Sequence, residues 1–547
     1  MLTSNLPAQA DINYEPWDWV THRFSQHVVS ISDGRDHVYF ASPGGVLQYH
    51  SFGHYWDHPI TPSQGLSDFS VTAVYYDLNT NILWAATPKG LDFSTDGGGR
   101  WSHVPRENLG LRNFEKIIRI GSTADELYCV TSSQILKIDR FSGFLLVPYS
   151  GPPSEEETRW GSYPLRAGDS ARDFLDGYTA LGGWTLELDS FNGPSLNESA
   201  RILSVHTDRF GDLWIGTEGG PVFHGNRQMM LLEPKSVGLS QNNVKAIEEW
   251  GNELWLIGIE DSGRYTGFTL MGGRPGSAEV FREGIEITVG IDQAGAVIPV
   301  KGEWWFGTTE GIQKYDPESD IWSRFTRAVP IIDQPITHLK SDGIFVYVGH
   351  RRGLLRINVE KSYSEPWSLP AKIGQWPIDA LEWDGANLWV SSGRRLWRWL
   401  ADAEFTYEYG SFGEDLTGLK RGEPPLMSPI TSIVSSDSTV YFADEFGLLM
   451  YEKSSGRWDR FTAESQLVGL KTLDLEVVSL DDTTTVVWFG TMNGAVVTNL
   501  QNGFFDRFSV KDGLPAKKVN AVHVRGDDVF FGTDEGLCRF KWKRYLQ

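Results

Sequence analysis

The sequence predicts an all-β protein of about twelve four-stranded blades, the repeating sheets of a β-propeller. Three observations support this prediction. One short pattern recurs roughly every forty to fifty residues along nearly the whole chain, which is typical of propeller blades. Aromatic residues make up 13% of the sequence, and its 58 glycines suit the many tight turns of stacked sheets. The pattern itself has the composition of a β-hairpin.

The clearest copy of the pattern is Glu303–Asp316 (EWWFGTTEGIQKYD). Its aromatic run, residues 304–306, favours a strand, and the lack of polar alternation predicts burial on both faces. Gly311 stands where a short hairpin loop needs a positive φ angle, and Ile312 begins a second apolar stretch. One unit therefore holds two antiparallel strands joined by a tight turn.

Further stretches share this frame with varying fidelity. They are Val38–Val46, Leu83–Leu91, Leu127–Ile135, Leu213–Pro221, Leu254–Ser262, Val346–Leu354, Leu388–Leu396, Val440–Leu448, Val487–Ala495 and Val529–Leu537. The interval between the copies that begin at Leu127 and Leu213 is about twice the usual spacing. This interval predicts one more, eroded unit near Phe174–Leu188.

The flanks of the hairpin predict the other two strands of each blade. A Trp-x-x-Phe-like element follows the hairpin at Trp322–Phe325, Trp458–Phe461 and Phe505–Phe508, and we expect it to form the outermost strand. The phrase Asp512–Pro515 (DGLP) then leads to Val519–Val522, the expected innermost strand of the next blade.

The two ends of the chain are expected to share a blade. Too few residues follow the last hairpin to form an outer strand, whereas Tyr14–Phe24 (YEPWDWVTHRF) has the composition of one. A strand from the N-terminal segment would complete the last blade and remove an exposed sheet edge. The alternative is a disordered N-terminus and a three-stranded last blade.

Twelve blades exceed the usual four to eight of a single ring, so two propellers are expected. Because the termini share a blade, the first propeller is expected to be discontinuous, with residues 14–260 plus a C-terminal part to 547. The second would span about 261–500. Two places could return the chain to the first propeller, Leu416–Pro429 and the region after Asn499.

The first thirteen residues resemble the end of a secretory signal, because Ala8-Gln9-Ala10 precedes Asp11 as at a cleavage site. The alternative for residues 1–13 is a flexible terminus.

Composition argues against two classes of partner. The formal net charge is −22 and the pI is near 5.0, whereas binding to nucleic acid or an anionic membrane surface needs clustered Lys and Arg. No apolar run is long enough for a transmembrane helix. The two cysteines, Cys129 and Cys538, lie in different units and are expected to be buried apolar residues.

The repeat resembles that of the two-component-regulator propeller family, whose units read LWIGT..GL.RYD, then a tryptophan strand, then GLP...V..I. Leu213–Gly220, Trp304–Asp316, Val487–Val497, Asp512–Val522 and Val529–Phe540 carry the resemblance. It implies pairs of propellers, often seven-bladed, that act as periplasmic sensor regions of hybrid histidine kinases. No kinase part follows here, and freestanding relatives of this type act at the bacterial surface, including an accessory protein of the type IX secretion system.

A second, local resemblance is Ser94–Trp101 (STDGGGRW), which is similar to the Asp-box hairpin of sialidases. In that family the box is a folding turn away from the active site. With a single copy in this chain, we interpret it as structural.

The most informative candidate site consists of four arginines. Arg351 and Arg352 occupy the hairpin turn of one unit, and Arg394 and Arg395 the equivalent turn of the next. Neighbouring blades would bring these guanidinium groups together, where they could bind an acidic glycan or a carboxylate-bearing partner. The alternative is two exposed basic turns without a ligand. The sequence assigns no catalytic residue and contains no G-x-S-x-G, H-E-x-x-H or phosphate-loop motif, and we expect neither a metal nor a cofactor.

These observations favour a non-catalytic extracytoplasmic scaffold that binds a protein or glycan partner at a propeller face. The chain would be secreted, periplasmic or on the outer surface of a bacterium, within a larger surface or secretion assembly. One alternative is a propeller-type hydrolase or lyase that acts on polysaccharide. Another is a sensor propeller without its kinase.

Overall fold

A computed structural model describes residues 14–146, 153–154, 156–165, 171–194, 199–239, 241–259, 265–272, 278–282, 294–325, 335–410, 428–461, 471–481 and 483–545. The described residues form eleven sheets, ten of four strands and one of eight. The predicted all-β architecture of four-stranded blades is therefore confirmed. The expected residual signal at 1–13 lies outside the described residues.

The strands follow one another along the chain in sets of four, apart from the first strand and the eight-stranded sheet. The first strand and the two following sheets are β1 (Trp19–His22), β2 (Ser30–Asp33), β3 (His37–Ser42), β4 (Gly45–His50), β5 (Tyr55–Trp56), β6 (Ala73–Asp77), β7 (Ile82–Thr87), β8 (Gly90–Ser94) and β9 (Ser102–Pro105). The third sheet contains β10 (Ile117–Ser122), β11 (Leu127–Thr131), β12 (Ile135–Ile138) and β13 (Arg159–Trp160). The eight-stranded sheet contains β14 (Tyr163–Pro164), β15 (Thr179–Ala180), β16 (Thr185–Leu186), β17 (Ser190–Asn192), β18 (Ser199–Thr207), β19 (Leu213–Glu218), β20 (Val222–Asn226) and β21 (Leu231–Lys235).

Seven further sheets follow. Their strands are β22 (Asn243–Trp250), β23 (Glu253–Ile259), β24 (Tyr265–Met271), β25 (Ala278–Arg282), β26 (Ala294–Val300), β27 (Glu303–Thr308), β28 (Gly311–Asp316), β29 (Ile321–Arg324), β30 (Ile336–Ser341), β31 (Phe345–His350), β32 (Gly353–Asn358), β33 (Tyr363–Ser364), β34 (Ala380–Trp383), β35 (Asn387–Ser392), β36 (Arg395–Leu400), β37 (Phe405–Tyr409), β38 (Ser432–Ser435), β39 (Thr439–Asp444), β40 (Gly447–Glu452), β41 (Trp458–Phe461), β42 (Thr472–Ser479), β43 (Thr485–Thr491), β44 (Gly494–Asn499), β45 (Phe505–Phe508), β46 (Val519–Arg525), β47 (Asp528–Thr533) and β48 (Gly536–Lys541). The helical segments are short: α1 (Arg172–Leu175), α2 (Leu369–Ile373) and a 3-10 turn at Pro62–Gln64.

In the four-stranded sheets the recurring sequence pattern spans the hairpin of the second and third strands, as predicted, and in the eight-stranded sheet it spans β19 and the turn that leads to β20. In the clearest copy, Thr308 closes the turn: its hydroxyl donates to the Gly311 carbonyl at 2.9 Å and accepts from the Glu310 amide at 3.2 Å. Thr491 and Thr533 make the same pair of bonds in their own turns. The threonine of the pattern is therefore explained by turn chemistry, because it satisfies one donor and one acceptor of a tight backbone bend.

We expect Thr533→Val to lower the free energy of unfolding by about 1–2 kcal/mol, because the carbonyl of the buried Gly536 and the Glu535 amide would both lose their hydrogen bond to the Thr533 hydroxyl. Urea unfolding measures this difference. Thr533→Ser keeps the hydroxyl and serves as the matched control. Equal losses of stability in both variants would contradict this account of the turn.

The first strands of the last seven sheets pack side by side in a closed circuit. Each contacts the first strand of the next sheet, and β46 contacts β22 again, so that the seven sheets form one ring. The first strands β2, β6 and β10 and the strands β14 and β18 form a second, smaller circuit. We refer to these as the seven-sheet ring and the four-sheet ring.

This packing supports a division of the chain that differs from the sequence-based expectation of 14–260 and about 261–500. We propose that residues 30–235 form one propeller, and that residues 243–541 together with Trp19–His22 form the other. The two connections between them run side by side: Phe24 and Leu239 form a parallel bridge, and the Leu239 amide donates to the Arg23 carbonyl at 3.1 Å.

The two ends of the chain share one blade, as predicted. β1 pairs antiparallel with β48, with Trp19 opposite Phe540, and adds the outer strand that the C-terminal hairpin lacks. The Trp19 ring stacks on Phe540 with the ring centroids 4.1 Å apart, and only 2% of Trp19 is exposed. Gly513 of the DGLP phrase lies against the same ring, because a Cβ at Gly513 would stand 2.6 Å from the Trp19 Cγ.

The four-sheet ring is filled at its centre by the segment 159–164. The Gly161 amide donates to the Ile120 carbonyl at 3.0 Å, and the Ser162 amide donates to the Ile31 carbonyl at 2.7 Å. A Cβ at Gly161 would lie within 3.4 Å of carbonyl oxygens from β2, β6 and β10. These tight approaches favour glycine at this position on the axis, and the segment joins the third and fourth sheets through the middle of the ring.

The eroded unit that was expected near Phe174–Leu188 does not form a sheet of its own. Its strands, β15 and β16, belong to the eight-stranded sheet, in which β15 pairs in parallel with β21 and β16 pairs with β17. The described residues therefore contain eleven sheets, because this unit adds its strands to the sheet that follows it.

Candidate functional site

The four predicted arginines lie in two equivalent turns of neighbouring sheets in the seven-sheet ring. Arg351 and Arg352 connect β31 to β32, whereas Arg394 precedes Arg395 at the start of β36. All four residues are exposed. Because the first strands of these two sheets pack against each other, both turns belong to adjacent blades.

The first turn replaces the usual threonine with His350. Its Nδ1 accepts a hydrogen bond from the Arg352 amide at 3.1 Å, in the way that the threonine hydroxyl does in other turns. The imidazole is buried, and burial lowers its pKa to about 4. A neutral histidine therefore holds the turn while the arginine side chains stay outside.

The loop that follows α2 packs on this turn and extends towards the next one. A Cβ at Gly353 would stand 2.8 Å from the Gly374 carbonyl, which places the loop directly against the first basic turn. Beyond Gly374, Trp376 is 69% exposed, an unusual state for a large aromatic side chain.

A cavity of 250 Å³ lies between this loop and the second basic turn. Its lining combines one lysine and two arginines with two indole rings. The lining residues are Lys372, Ile373, Trp376, Ser392, Gly393, Arg394, Arg395 and Trp397. A cleft with cationic heads above aromatic surface suits an anionic group carried on an apolar or sugar-like body.

The positive charge of this rim is only partly balanced. Arg395 contacts Glu408, with Nη1 and Oε1 2.6 Å apart, and both partners reach solvent. Within the described ranges, Arg351, Arg352 and Arg394 form no ion pair. The Gly393 amide donates to Asp379 at 2.6 Å, which holds the turn in place without covering the guanidinium groups. We call Arg351, Arg352, Lys372, Arg394 and Arg395 the basic rim.

A second group of ionisable side chains lies along the axis of the seven-sheet ring, and sequence reasoning missed it. The first strands contribute Glu248 and Glu249 from β22, His338 and Lys340 from β30, Glu382 from β34, Asp474 and Glu476 from β42, and His523 and Arg525 from β46. The polar residues that alternate with apolar ones along these strands were the available signal. The repeat pattern is strongest on the second and third strands, so it does not point to these residues of the first strands.

Short ion pairs connect these axial groups across blades. Lys340 Nζ lies 2.6 Å from Glu382 Oε2, and Glu249 lies 2.9 Å from both His523 and Arg525. The backbone amide of Val522 donates to Asp474 at 2.9 Å. The axis of this ring is therefore lined with charge, whereas that of the four-sheet ring is filled by residues 159–164.

The other predicted features have local structural roles. In the Asp-box-like hairpin, Asp96 accepts from the Gly99 and Arg100 amides at 3.0 Å, and the Trp101 indole donates to the Gly98 carbonyl at 3.0 Å. The box is thus a self-contained turn. Cys129 and Cys538 are buried free thiols, and burial raises the pKa of both.

Neither a metal cluster nor a membrane helix is found in the part of the chain that the structure describes. No group of three or more His, Cys, Asp or Glu side chains there is arranged to hold a metal ion. None of the helices in the described ranges is long and apolar enough to cross a bilayer.

Comparison with known proteins shows the fold. No protein-family model matches the chain, and no curated protein sequence matches it. PorZ, an essential surface component of the type-IX secretion system of Porphyromonas gingivalis, superposes with a TM-score of 0.58 at 12% identity, covering 96% of this chain and 87% of PorZ.

Two structures from B. thetaiotaomicron are similar at lower scores. The extracellular domain of BT4673, a proposed one-component system, has a TM-score of 0.43 at 11% identity; the match covers 94% of this chain and 70% of the BT4673 chain. The extracellular domain of BT3049, a proposed hybrid two-component system, has a TM-score of 0.44 at 13% identity; the match covers 94% of this chain and 74% of the BT3049 chain.

Proposed function

We propose that this chain is a non-catalytic extracytoplasmic scaffold that binds an acidic protein or glycan partner at the basic rim. The observation that carries this proposal is the cavity in which Lys372, Arg394 and Arg395 surround the exposed Trp376. The net charge of the whole chain is −22, so a local group of cations of which only Arg395 forms an ion pair within the described residues needs a local reason.

The arrangement favours a partner with carboxylate, sulfate or phosphate groups. Guanidinium groups present several donors in a fixed plane and bind such anions in bidentate fashion. The Trp376 ring offers a flat apolar face beside them, which can pack against a sugar ring or an apolar side chain. The backbone beneath is held by the hydrogen bonds of His350 and Asp379, so little ordering cost accompanies binding.

The likeness to PorZ supports a place at a bacterial surface. It extends over 96% of this chain, and the similar protein is described as a surface component of a secretion system. We propose by this analogy that the chain is secreted, periplasmic or on the outer surface, as a subunit of a larger assembly.

A panel of soluble polymers tests the ligand chemistry directly. Binding of the purified chain to polygalacturonate, a sulfated polysaccharide, poly-glutamate and neutral dextran would be measured by calorimetry at low and moderate salt. We expect binding to one or more anionic polymers and none to dextran, with Trp376→Ala weakening the sugar polymers more than poly-glutamate. Equal binding of all polymers, or of none, would contradict recognition of acidic groups at this rim.

A further inference from the structure

The axial channel of the seven-sheet ring carries more negative than positive groups. The first strands place five carboxylates there, close enough to interact electrostatically: Glu248, Glu249, Glu382, Asp474 and Glu476. The permanent cations among the axial groups are Lys340 and Arg525, and each already pairs with one carboxylate, Glu382 and Glu249 respectively. Among the residues that the structure describes, Glu248, Asp474 and Glu476 therefore form no ion pair with a lysine or arginine.

The strands that face this channel bring several further titratable groups. β22 also brings Lys245, whose Nζ lies 3.6 Å from an Asp534 carboxylate oxygen. β30 brings His338, and burial lowers the pKa of this histidine to about 4. β46 brings His523, whose Nδ1 lies 3.7 Å from Glu476. β26 and β38 contribute no ionisable residue, although Ser432 of β38 donates a hydrogen bond to Asp474. Lys340 therefore offsets the negative charge of these carboxylates only in part, and the described strands bring no second lysine or arginine into contact with Glu248, Asp474 or Glu476.

We propose that this channel is a pH-sensitive device that holds protons on these three carboxyl groups and releases them as the pH rises through neutrality, which loosens the seven-sheet ring. Like charges in a narrow, partly desolvated channel repel one another, and protonation removes the repulsion. The device is independent of the basic rim.

The protonation equilibria agree with the geometry. Burial raises the pKa of Glu248 to about 7; the positive charge of Lys340 opposes this shift, and the carboxylates of Glu382 and Asp474 reinforce it. Burial and the charge of Asp474 raise the pKa of Glu476 to about 8, and burial raises that of Asp474 to about 6. Lys340 remains charged, because the surrounding carboxylates outweigh the effect of its burial and raise its pKa.

The sign of the effect follows from linkage. A carboxyl group whose pKa is higher in the folded than in the unfolded state binds more protons when folded, so its contribution to stability is lost as the pH rises through the folded value. For Glu248 and Glu476, this contribution to the free energy of unfolding is lost between about pH 4.5 and 8. The buried histidines act in the opposite direction, but only below the ordinary histidine pKa of about 6.5. The interval from pH 7 to 8.5 therefore separates the carboxylates from the histidines. The buried thiols Cys129 and Cys538 also lower stability there as the pH rises, so the share of the carboxylates is the part that substitution of Glu248 and Glu476 removes.

Scanning calorimetry of the whole chain between pH 7 and pH 8.5 tests the proposal. We expect the Tm of the wild type to fall by about 4 °C over this interval. Glu248→Gln combined with Glu476→Gln should reduce this fall to less than half and raise the Tm at pH 8.5. The matched control combines Glu318→Gln and Glu404→Gln, two exposed sites away from the channel, and should follow the wild type.

A measurement on the unaltered protein covers the case in which the double variant fails to fold. Unfolding enthalpies at pH 7.5 in phosphate and in Tris, which differ in ionisation enthalpy, give the number of protons exchanged. We expect release of about one proton on unfolding, because the native state holds the extra protons. Proton uptake on unfolding, a Tm that stays constant or rises from pH 7 to 8.5, or a double variant with the wild-type slope would each overturn the proposal.

Discussion

Replacing Trp19 with alanine is expected to lower the free energy of unfolding of the seven-sheet ring by about 3–5 kcal/mol, the cost typical of a large aromatic side chain removed from a core. Trp19 is 2% exposed and packs between Phe540, Phe508 and Phe531. The loss has a second component, because the substitution also weakens the strand that closes the ring. Guanidinium chloride unfolding, followed by fluorescence, measures the change.

Trp376→Ala is the matched control for this experiment. The same side chain is deleted, but Trp376 is 69% exposed and its ring contributes little buried area to the core. Its free energy of unfolding should remain within about 0.5 kcal/mol of the wild type. A similar loss in both variants would contradict the assignment of Trp19 as the residue that fastens the two ends of the chain.

Replacing Arg351, Arg352, Arg394 and Arg395 together with alanine should weaken binding of an acidic polymer by about tenfold or more at low salt, since each lost ion pair at an exposed rim contributes up to about 1 kcal/mol. The remaining binding should also depend less on salt, because fewer charges are engaged. Calorimetric titration at two salt concentrations provides both quantities. The fold should be kept, because all four side chains are exposed.

A control with the same change in net charge separates the rim from the overall electrostatic field. Alanine at Arg100, Arg112, Arg457 and Lys511, all exposed and outside the basic rim, removes four positive charges elsewhere. This variant should bind nearly as well as the wild type. Equal weakening in the two variants would mean that only net charge matters and that the rim is not a site.

The hairpins and the shared blade were predictable from the sequence for a definite physical reason. Each tight turn needs a glycine with a positive φ angle and a hydroxyl that satisfies the bend, so Gly311, Gly494 and Gly536 recur behind Thr308, Thr491 and Thr533. The outer strand at Trp19 was predictable because the last hairpin lacked a partner. The assignment of sheets to rings was not, because it depends on packing between first strands of distant units.

The site was only partly predictable. The two arginine pairs occupy equivalent positions of the repeat and can be read from the spacing, whereas Lys372 and Trp376 come from an irregular loop that no repeat aligns. The axial carboxylates lie on first strands, where polar residues alternate and the repeat is weak. Gly161 shows the same limit, since only the assembled ring reveals why that position must be small.

The most direct test of the account is an affinity capture from the native cell envelope with three forms of the chain: wild type, the quadruple arginine variant and the charge-matched control. Mass spectrometry and glycan analysis would quantify what each form retains. The account predicts one acidic protein or glycan in stoichiometric amount on the wild type and the control, and its loss from the arginine variant. Retention of the same partner by the arginine variant, or recovery of the chain alone in all three cases, would contradict it.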